Sequence, residues 1–255
     1  MGMRADQRRA YIEDIVTKEG KITVTEISLA CKVTEETVRR DLDKLEEEGK
    51  VTRVHGGAIR NMNGQANGIH FQKRQLRNAA EKHRIAELTM GILQDKTTVM
   101  ADSSTTVAET LRLLAEIPEY TVVTNSVHAL RIIEAPACTL ISTGGIYSEN
   151  SLSFQGEVAT QVLAKFHVDI ALISCRGIHR ESGVLDSYTG EVDIKRAMIE
   201  QAEEVALLVD HTKFSKQAFL EVTNFDCIDY IVTDKEPDPE WIEFCGQKGI
   251  ALIYN

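Results

Sequence analysis

Residues 33–57 read VTEETVRRDLDKLEEEGKVTRVHGG, and this stretch decides the fold of the N-terminal part of the chain. Val38, Leu42 and Leu45 recur at positions i, i+4 and i+7, which predicts a helix with one buried face. Gly49 is placed to end that helix, and the residues after it alternate as a short strand that runs into a tight turn. A helix followed by a small β-wing is typical of DNA-binding modules.

The opposite face of this helix carries candidate DNA contacts. Arg39 and Arg40 lie in its first half, where the positive end of the helix dipole also favours phosphate. The alternative is a solvated face whose charges serve solubility only. Residues 46–48 are three glutamates that would repel DNA from the second half, so the first half is expected to dock. The predicted DNA contacts, two of them in the wing, are Glu36, Thr37, Arg39, Arg40, Lys44, Arg53 and His55.

Two helices are predicted before the helix that carries Val38, Leu42 and Leu45, which we call the reading helix. An apolar stripe predicts the first over about residues 5–19, and Gly20 is placed to end it. Thr23 and Glu26 fit a capping box that begins the second. Helix, helix, turn, helix and wing are then complete, which predicts a winged helix-turn-helix DNA-binding domain over residues 1–60.

The composition is that of a globular protein with room for a small module and a larger domain. The chain has 255 residues and is 43% hydrophobic. It has no apolar run of about 18 residues and no apolar segment of the signal-peptide type, so we expect a cytoplasmic protein without a membrane partner. Its five cysteines show no C-x-x-C spacing. We therefore expect no disulfide framework and no metal site. We also expect no catalytic residues and no cofactor.

The net charge of −10 is unevenly distributed along the chain. Residues 1–60 contain 12 Lys+Arg and 12 Asp+Glu, which leaves 17 Lys+Arg and 27 Asp+Glu for the rest. The acidic bias therefore belongs to the second domain. Such a domain weakens non-specific adhesion to DNA and leaves DNA contact to the local cations of the first.

The N-terminal motifs resemble the signature of the DeoR-type bacterial transcription regulators. That resemblance rests on TVRRDL at 37–42, on Leu45 and Gly49, and on RVHGGA at 53–58. It continues through Phe71, Arg74, Glu81-Lys82 and Ile85-Ala86, and covers essentially the whole chain. It implies a regulator of a sugar-catabolic operon, with double-stranded operator DNA as partner and repression as the preferred direction.

A second domain is predicted after a polar, glycine-rich linker placed at 61–76, and it occupies residues 77–255. After a helix from about Asn78 to Leu93, apolar β-rich runs alternate with helical patterns. This rhythm predicts an α/β fold with a mostly parallel sheet. The predicted strands are 97–101, 120–123, 138–142, 168–174, 205–209, 227–232 and 250–254.

Small polar residues follow these strands at their carboxyl ends, the edge where open α/β sheets bind ligands. Residues 102–106 leave a strand and open a helix, which suits a phosphate, although plain N-capping by Ser and Thr is the alternative. Gly144 and Gly145 would allow a ligand to approach the backbone closely, and the alternative is an ordinary turn. Lys213 could bind a phosphate group, and the alternative is an ordinary surface lysine. Polar residues follow five of the strands, at 102–106, 124–126, 143–145, 176–177 and 210–213. Five such loops on one edge favour a ligand site.

The second domain resembles the family's sensor domain, which is similar in fold to ribose-5-phosphate isomerase. This implies a phosphorylated sugar effector, and short matches at 174–178 and 185–187 to one member of the family make a deoxysugar phosphate a candidate. Glu191 and Lys195 also fit an ordinary i, i+4 ion pair. The candidate effector residues are Asp102, Ser103, Ser104, Thr105, Thr106, Thr124, Asn125, Gly144, Gly145, Arg176, Glu191, Lys195, Asp210 and Lys213.

Three functions are compatible with these patterns. The preferred one is a regulator that responds to a sugar phosphate. The second is a sugar-phosphate isomerase or deaminase with an accessory DNA-binding domain. Against it, residues 175–179 carry no aspartate where the isomerases need a carboxylate base, which predicts binding without turnover. The third is a DNA-binding structural protein whose second domain only dimerises, and the five polar loops disfavour it. We also expect a homo-oligomer, a dimer or tetramer, because one winged module reads few base pairs.

Overall fold

Two units make up the chain, one spanning Met1–His70 and the other Phe71–Asn255. The computed structural model describes residues 3–47, 50–54, 56–60 and 71–255. Gly49 and His55, which the sequence placed at the end of the reading helix and in the wing, lie outside the described residues.

The N-terminal unit is the predicted winged helix-turn-helix. Its elements in order are α1 (Ala5–Glu19), β1 (Lys21–Thr23), α2 (Val24–Cys31), α3 (Glu35–Glu47), β2 (Val51–Val54) and β3 (Gly57–Arg60). Gly20 ends α1 in the left-handed conformation. The capping box is also formed, because the Thr23 hydroxyl accepts from the Glu26 amide at 3.2 Å and the Glu26 carboxylate accepts from the Thr23 amide at 2.9 Å.

Helix α3 is fixed by an apolar buried face and by one buried ion pair. Val38, Leu42 and Leu45 are fully buried, as predicted. Arg8 of α1 makes a buried, hydrogen-bonded ion pair with Asp41 of α3. Two buried charges that neutralise each other fix the position of one helix against another more narrowly than apolar packing does, because either charge left alone would be costly.

The described part of the N-terminal unit contains a three-stranded sheet, of which the sequence predicted only β2. Strand β1 pairs antiparallel with β3, and β3 with β2, which gives the order β1-β3-β2. Gly57 is required where β1 and β3 meet, since a Cβ atom there would lie 2.0 Å from the carbonyl oxygen of Ile22. The three residues of β1 are too few to produce a readable alternation, which is why the sequence did not predict this strand.

The second unit is an α/β domain built on a seven-stranded sheet. Its helices are α4 (Phe71–Leu76), α5 (Ala79–Ile92), α6 (Thr105–Leu114), α7 (Val127–Ile132), α8 (Glu157–Leu163), α9 (Thr189–Glu200) and α10 (Pro239–Lys248), with a 3-10 helix at His211–Lys213. Its strands are β4 (Thr98–Ala101), β5 (Thr121–Thr124), β6 (Thr139–Ser142), β7 (Ile146–Ser148), β8 (Ser153–Gln155), β9 (Val168–Ile173), β10 (Gly177–His179), β11 (Gly183–Asp186), β12 (Ala202–Leu208), β13 (Leu220–Thr223), β14 (Tyr230–Val232) and β15 (Ala251–Ile253).

The large sheet has the order β15-β14-β12-β9-β4-β5-β6, and each neighbouring pair is parallel. All seven predicted strands belong to it, which confirms the mostly parallel α/β class. Alternate residues of β4 face opposite sides of the sheet. Val99 packs in a core cluster that includes residues of α5 and α6, whereas Met100 packs in a cluster that includes residues of α8 and α9. Both faces are therefore covered by helices.

The direction in which the chain winds reverses between β4 and β9. From β4 the chain proceeds through β5 to β6 on one side, and it then returns to β9 and continues through β12, β14 and β15 on the other. The loops that follow β4 and β9 consequently diverge, and a crevice between them is where open α/β sheets bind ligands.

Two features of this unit depart from the predictions. The predicted linker, 61–76, includes Phe71–Leu76, which instead forms α4, and its residues 61–70 lie outside the described residues. Phe71 is buried in a cluster with Ala108 and Leu152, so its apolar ring binds this segment to the domain. The short strands β7, β8, β10, β11 and β13 form a hairpin and a small antiparallel sheet that the sequence did not predict. Within the described ranges, no helix has the length and apolar character needed to cross a membrane.

Candidate functional site

The exposed face of α3 presents the cations that the sequence singled out. The Thr34 hydroxyl accepts from the Thr37 amide at 3.3 Å and caps the helix. Arg40 is the more exposed arginine, with 79% of its side chain accessible, and its guanidinium lies 3.4 Å from Glu36. Arg39 donates to Glu35 at 2.7 Å. Exposed pairs of this kind contribute about 0–1 kcal/mol, so either arginine can exchange its carboxylate for DNA phosphate at little cost.

Arg53 of the wing has a different environment from the one expected for a phosphate contact. Only 20% of its side chain is exposed, and its Nε lies 3.3 Å from Asp43 of α3. Its Nη1 donates to the carbonyl of Gly57 at 3.3 Å, and its backbone amide donates to Glu46 at 2.8 Å. Arg53 therefore binds the wing to α3. Lys44 is exposed on the helix.

The carboxyl edge of the large sheet brings the candidate effector residues together. Strands β12, β9, β4, β5 and β6 are consecutive neighbours, and each is followed by one of the polar loops. The loop after β4, residues 102–106, and the loop after β9, residues 174–176, flank the point where the winding reverses.

Lys195 of α9 lies at the centre of this edge and is only 2% exposed. Its ammonium nitrogen is 3.0 Å from Asp102, 3.4 Å from Asp186 and 3.6 Å from Glu191. Burial alone would lower the pKa of Lys195, but these carboxylates raise it well above its usual range. Glu191 and Lys195 thus form the i, i+4 ion pair that their spacing allowed, and this pair is part of a larger buried charge cluster.

Asp102 has a structural role within this cluster. One of its carboxylate oxygens accepts from the Ser104 amide at 2.8 Å, and the other accepts from the Ser174 amide at 3.0 Å. The side chain, 1% exposed, thereby joins the loop after β4 to the loop after β9. The Asp102 carboxylate is therefore already engaged by two backbone amides and by Lys195.

Glu191 is also saturated by protein groups. It accepts from Ser103 at 2.9 Å, from Ser153 at 2.9 Å and from Gln155 at 2.7 Å. Burial would raise the pKa of Glu191, but the charges of Lys195 and Arg74 and the serine hydroxyls lower it to about 2. Because folding lowers that pKa from 4.5, the carboxylate stabilises the fold above about pH 4.5, and its contribution is lost as the pH falls toward 2.

The residues after β4 and β5 include helix-capping groups and one buried hydrogen-bond acceptor that has no donor among the described residues. Ser104 caps α6 by accepting from the Val107 amide at 3.2 Å, and Thr105 and Thr106 are buried in its first turn. The Thr124 hydroxyl donates to the Ala101 carbonyl at 2.7 Å. The buried Oδ1 of Asn125 has no hydrogen-bond partner among the described residues.

The glycine pair is explained in part by packing. Gly145 has a φ of +118°, and a Cβ there would lie 2.8 Å from the Gln155 carbonyl oxygen. Gly144 has a φ of +60°, and a Cβ there would meet no atom of the described residues within 4 Å. Gly145 is therefore needed for contact with β8, whereas the position of Gly144 leaves room beside its backbone.

Two cations and a carboxylate complete the edge on the β9 and β12 side. The Nε of Arg176 lies 3.8 Å from Asp186, and its guanidinium lies over the Tyr188 ring, 5.9 Å from the ring centroid. Burial lowers the pKa of Lys213, Asp210 opposes this effect, and Arg176 adds to it. Asp210 accepts from the Thr212 amide at 3.0 Å. Arg176 and Lys213 are thus close enough to repel each other.

Arg74 is a third cation of this region, and the sequence did not single it out as a site residue. Burial and the Arg176 guanidinium lower the pKa of Arg74 to about 10, while Glu191, Asp186 and Tyr188 oppose that shift. Its position in the family signature is the signal that could have found it, but the predicted linker includes this segment. Buried cations that lie within electrostatic reach of one another are a feature of anion sites.

Comparisons with known proteins agree with this two-part architecture. Residues 8–63 match the DeoR-like helix-turn-helix domain, and residues 77–235 match the DeoR C terminal sensor domain. The chain belongs to the DeoR family. It is therefore a transcriptional regulator with a DNA-binding domain followed by a domain that senses a small molecule.

Two curated relatives of this DeoR-family regulator match over nearly the whole chain. The L-fucose operon activator of Haemophilus influenzae is 31% identical, with 93% of this chain and 95% of the relative covered. The transcriptional repressor GlcR of Bacillus subtilis is 30% identical, with 98% and 96% covered. Among solved structures, ribose 5-phosphate isomerase of Methanocaldococcus jannaschii matches 54% of this chain and 55% of its own, at 17% identity and a TM-score of 0.40.

Replacing Lys195 with methionine is predicted to destabilise the sensor domain. The substitution leaves three carboxylates close together without their cation, which costs roughly 3–5 kcal/mol in a buried pair. Urea unfolding followed by fluorescence of Trp241, the single tryptophan of the chain, would report on this domain. The matched change at exposed Lys165 is expected to stay within about 0.5 kcal/mol of the parent. Equal unfolding midpoints for Lys195→Met and the parent would contradict the assigned role.

Proposed function

We propose that this DeoR-family regulator represses a sugar-catabolic operon and is controlled by a phosphorylated sugar bound at the carboxyl edge of the large sheet. The observation that carries the proposal is the position of Arg176 and Lys213 on the edge that also contains the N-terminus of α6. A helix N-terminus and clustered cations are complementary to a phosphate group.

The remainder of the edge suits a sugar. Hydroxyl groups of a ligand would donate to the buried Oδ1 of Asn125 and approach the backbone at Gly144. An acceptor that is buried without a partner is costly, and a sugar hydroxyl would satisfy it. The phosphate would supply affinity and the sugar hydroxyls would supply specificity.

Catalytic turnover of that ligand is disfavoured because the carboxylates of the edge are ionised or paired with Lys195. A base that moves a proton between carbons needs a pKa near the working pH. The pKa of Glu191 is lowered to about 2, and Asp102 and Asp186 are committed to Lys195. Burial raises the pKa of the Cys175 thiol to about 12, so this thiol is not a ready nucleophile. An isomerase-like enzyme with an accessory DNA-binding domain is therefore the weaker alternative.

The direction of regulation and the assembly are also part of the proposal. The two relatives include one activator and one repressor at nearly equal identity. We prefer repression because it needs only occupancy of the operator, whereas activation needs a further surface that recruits polymerase. A homo-oligomer, a dimer or tetramer, would place two α3 helices on half-sites about one DNA turn or a multiple of it apart.

Arg40→Ala is predicted to weaken operator binding by about 1–3 kcal/mol if the guanidinium reads a base edge. Fluorescence anisotropy with an operator selected from genomic fragments would measure the effect, and a salt titration would separate base reading from a phosphate contact. Lys18→Ala removes an equally exposed cation from α1, where it pairs with Asp14, and should leave the affinity unchanged. Parent-like operator binding by Arg40→Ala would show that the reading face lies elsewhere.

Lys213→Gln is predicted to weaken binding of a sugar phosphate by about 1.5–3 kcal/mol, the range for a hydrogen bond to a charged group. A thermal-shift screen of aldose and ketose phosphates on the full-length protein would find the ligand, and titration calorimetry would compare the variants. Lys235→Gln removes an exposed cation and should behave as the parent. Equal affinity in Lys213→Gln, or equal binding of the sugar without its phosphate, would exclude this edge as the phosphate site.

A further inference from the structure

Helix α4 is the first element of the sensor domain, and in the chain it directly follows the segment that leads from the DNA-binding unit. It is short, Phe71–Leu76, and a helix of six residues has little stability of its own. Its order must therefore come from contacts with the sensor domain.

The first turn of α4 is fixed by an aromatic contact. The ring centroid of Phe71 lies 4.4 Å from that of His128 in α7. Phe71 is buried with Ala108 of α6, and its backbone amide donates to the Asn150 carbonyl at 3.0 Å. Gln75 is 3.3 Å from the same His128 ring. The helix thus packs on α6 and α7, the two helices that begin at the candidate ligand edge.

The last turn of α4 is capped by a buried cation. Lys82 of α5, 4% exposed, donates to the carbonyl oxygens of Arg74 and Arg77. Burial lowers the pKa of Lys82 to about 8, and the nearby charge of Asp210 opposes the shift. Asn78, which follows α4, donates to Asp210 at 3.2 Å. The C-terminal end of the helix is therefore connected to the loop that follows β12.

The side chain of Arg74 extends from α4 into the charged region of that edge. Its guanidinium lies over the Phe71 ring, 5.6 Å from the ring centroid. Its electrostatic neighbours are Arg176, Glu191, Asp186 and Tyr188. The buried hydroxyl of Tyr188 has no hydrogen-bond partner within the part of the chain that the structure describes. A charged residue of α4 is thus within electrostatic reach of Arg176 and of Tyr188, whose hydroxyl a ligand could satisfy.

We propose that Arg74 contacts the anionic group of the effector together with Arg176, and that this contact links occupancy of the site to the docking of α4. The inference rests on the proposed function, because it requires an anion at this edge. Arg74 is then a ligand-positioning residue and the first protein group through which the sensor domain communicates with the segment leading to the DNA-binding unit.

The physical basis is a change in the sign of an interaction. The charge of Arg176 repels that of Arg74, whereas Glu191 and Asp186, which are also paired with Lys195, attract it. An anion bound beside Arg176 would replace the repulsive contribution with an attractive one and so favour the docked helix. A ligand shifts a conformational equilibrium only through such a difference in affinity between states. The anion therefore suppresses local opening of α4, and the effect is measurable as amide protection.

Hydrogen exchange on the full-length protein tests this. Exchange in saturating inorganic phosphate would be compared with exchange in chloride at equal ionic strength, for peptides covering residues 71–80 and 102–110. In the parent, phosphate should slow both peptides, with 71–80 slowed at least about fivefold, the lower end of typical coupling. In Arg74→Gln, the slowing at 71–80 should be lost while that at 102–110 persists. Lys73→Gln, which removes an exposed cation from the same helix, should behave as the parent.

The outcomes separate the two proposals. If phosphate does not slow 102–110 in the parent, the anion site itself is wrong. If it slows 102–110 but not 71–80, the site stands and the link through α4 is wrong. Loss of the 71–80 response in Lys73→Gln, or its retention in Arg74→Gln, would also overturn the role of Arg74. Arg74→Lys keeps the charge and should recover part of the response, which separates a ligand contact from simple unfolding of the helix.

Discussion

The ion cluster around Lys195 is the interaction on which the sensor domain depends. One ammonium group draws together carboxylates from three places in the chain: Asp102 after β4, Asp186 at the end of β11 and Glu191 within α9. Each of these charges would be costly to bury alone, so all four must be present together. Because Asp102 also accepts from the amides of Ser104 and Ser174, the cluster fixes both loops that flank the winding reversal. The crevice is therefore a preorganised feature of the fold.

This arrangement divides the charges of the ligand edge into two sets. The carboxylates are used internally, by Lys195 and by the hydroxyl groups around Glu191. Arg176, Lys213 and Arg74 form the second set, and burial lowers the pKa of both Lys213 and Arg74. A domain that is acidic overall thus has cations at this edge, as the proposed anionic effector would require, while its acidic exterior disfavours non-specific contact with DNA. The same committed carboxylates that define the crevice are unsuited to proton transfer.

The sequence predicted the elements whose patterns are local. The spacing of Val38, Leu42 and Leu45 predicted α3, because these residues repeat with the period of a helix. Short apolar runs predicted every strand of the large sheet. It did not predict the partners of those elements. The spacing of Glu191 and Lys195 allowed an i, i+4 ion pair, and only the fold brings Asp102 to that pair. Likewise, Phe71–Leu76 has too few residues for a helical period, and its order depends on His128, far away in sequence.

Coupling between the ligand edge and the DNA-binding unit is the central claim, and reciprocity tests it most directly. The affinity of the full-length protein for its sugar phosphate would be measured by calorimetry with and without saturating operator DNA, and the affinity for operator with and without saturating sugar phosphate. Coupling predicts that both affinities change by one common factor, about 5- to 150-fold. A sugar phosphate that binds with equal affinity to the free and the DNA-bound protein would contradict it.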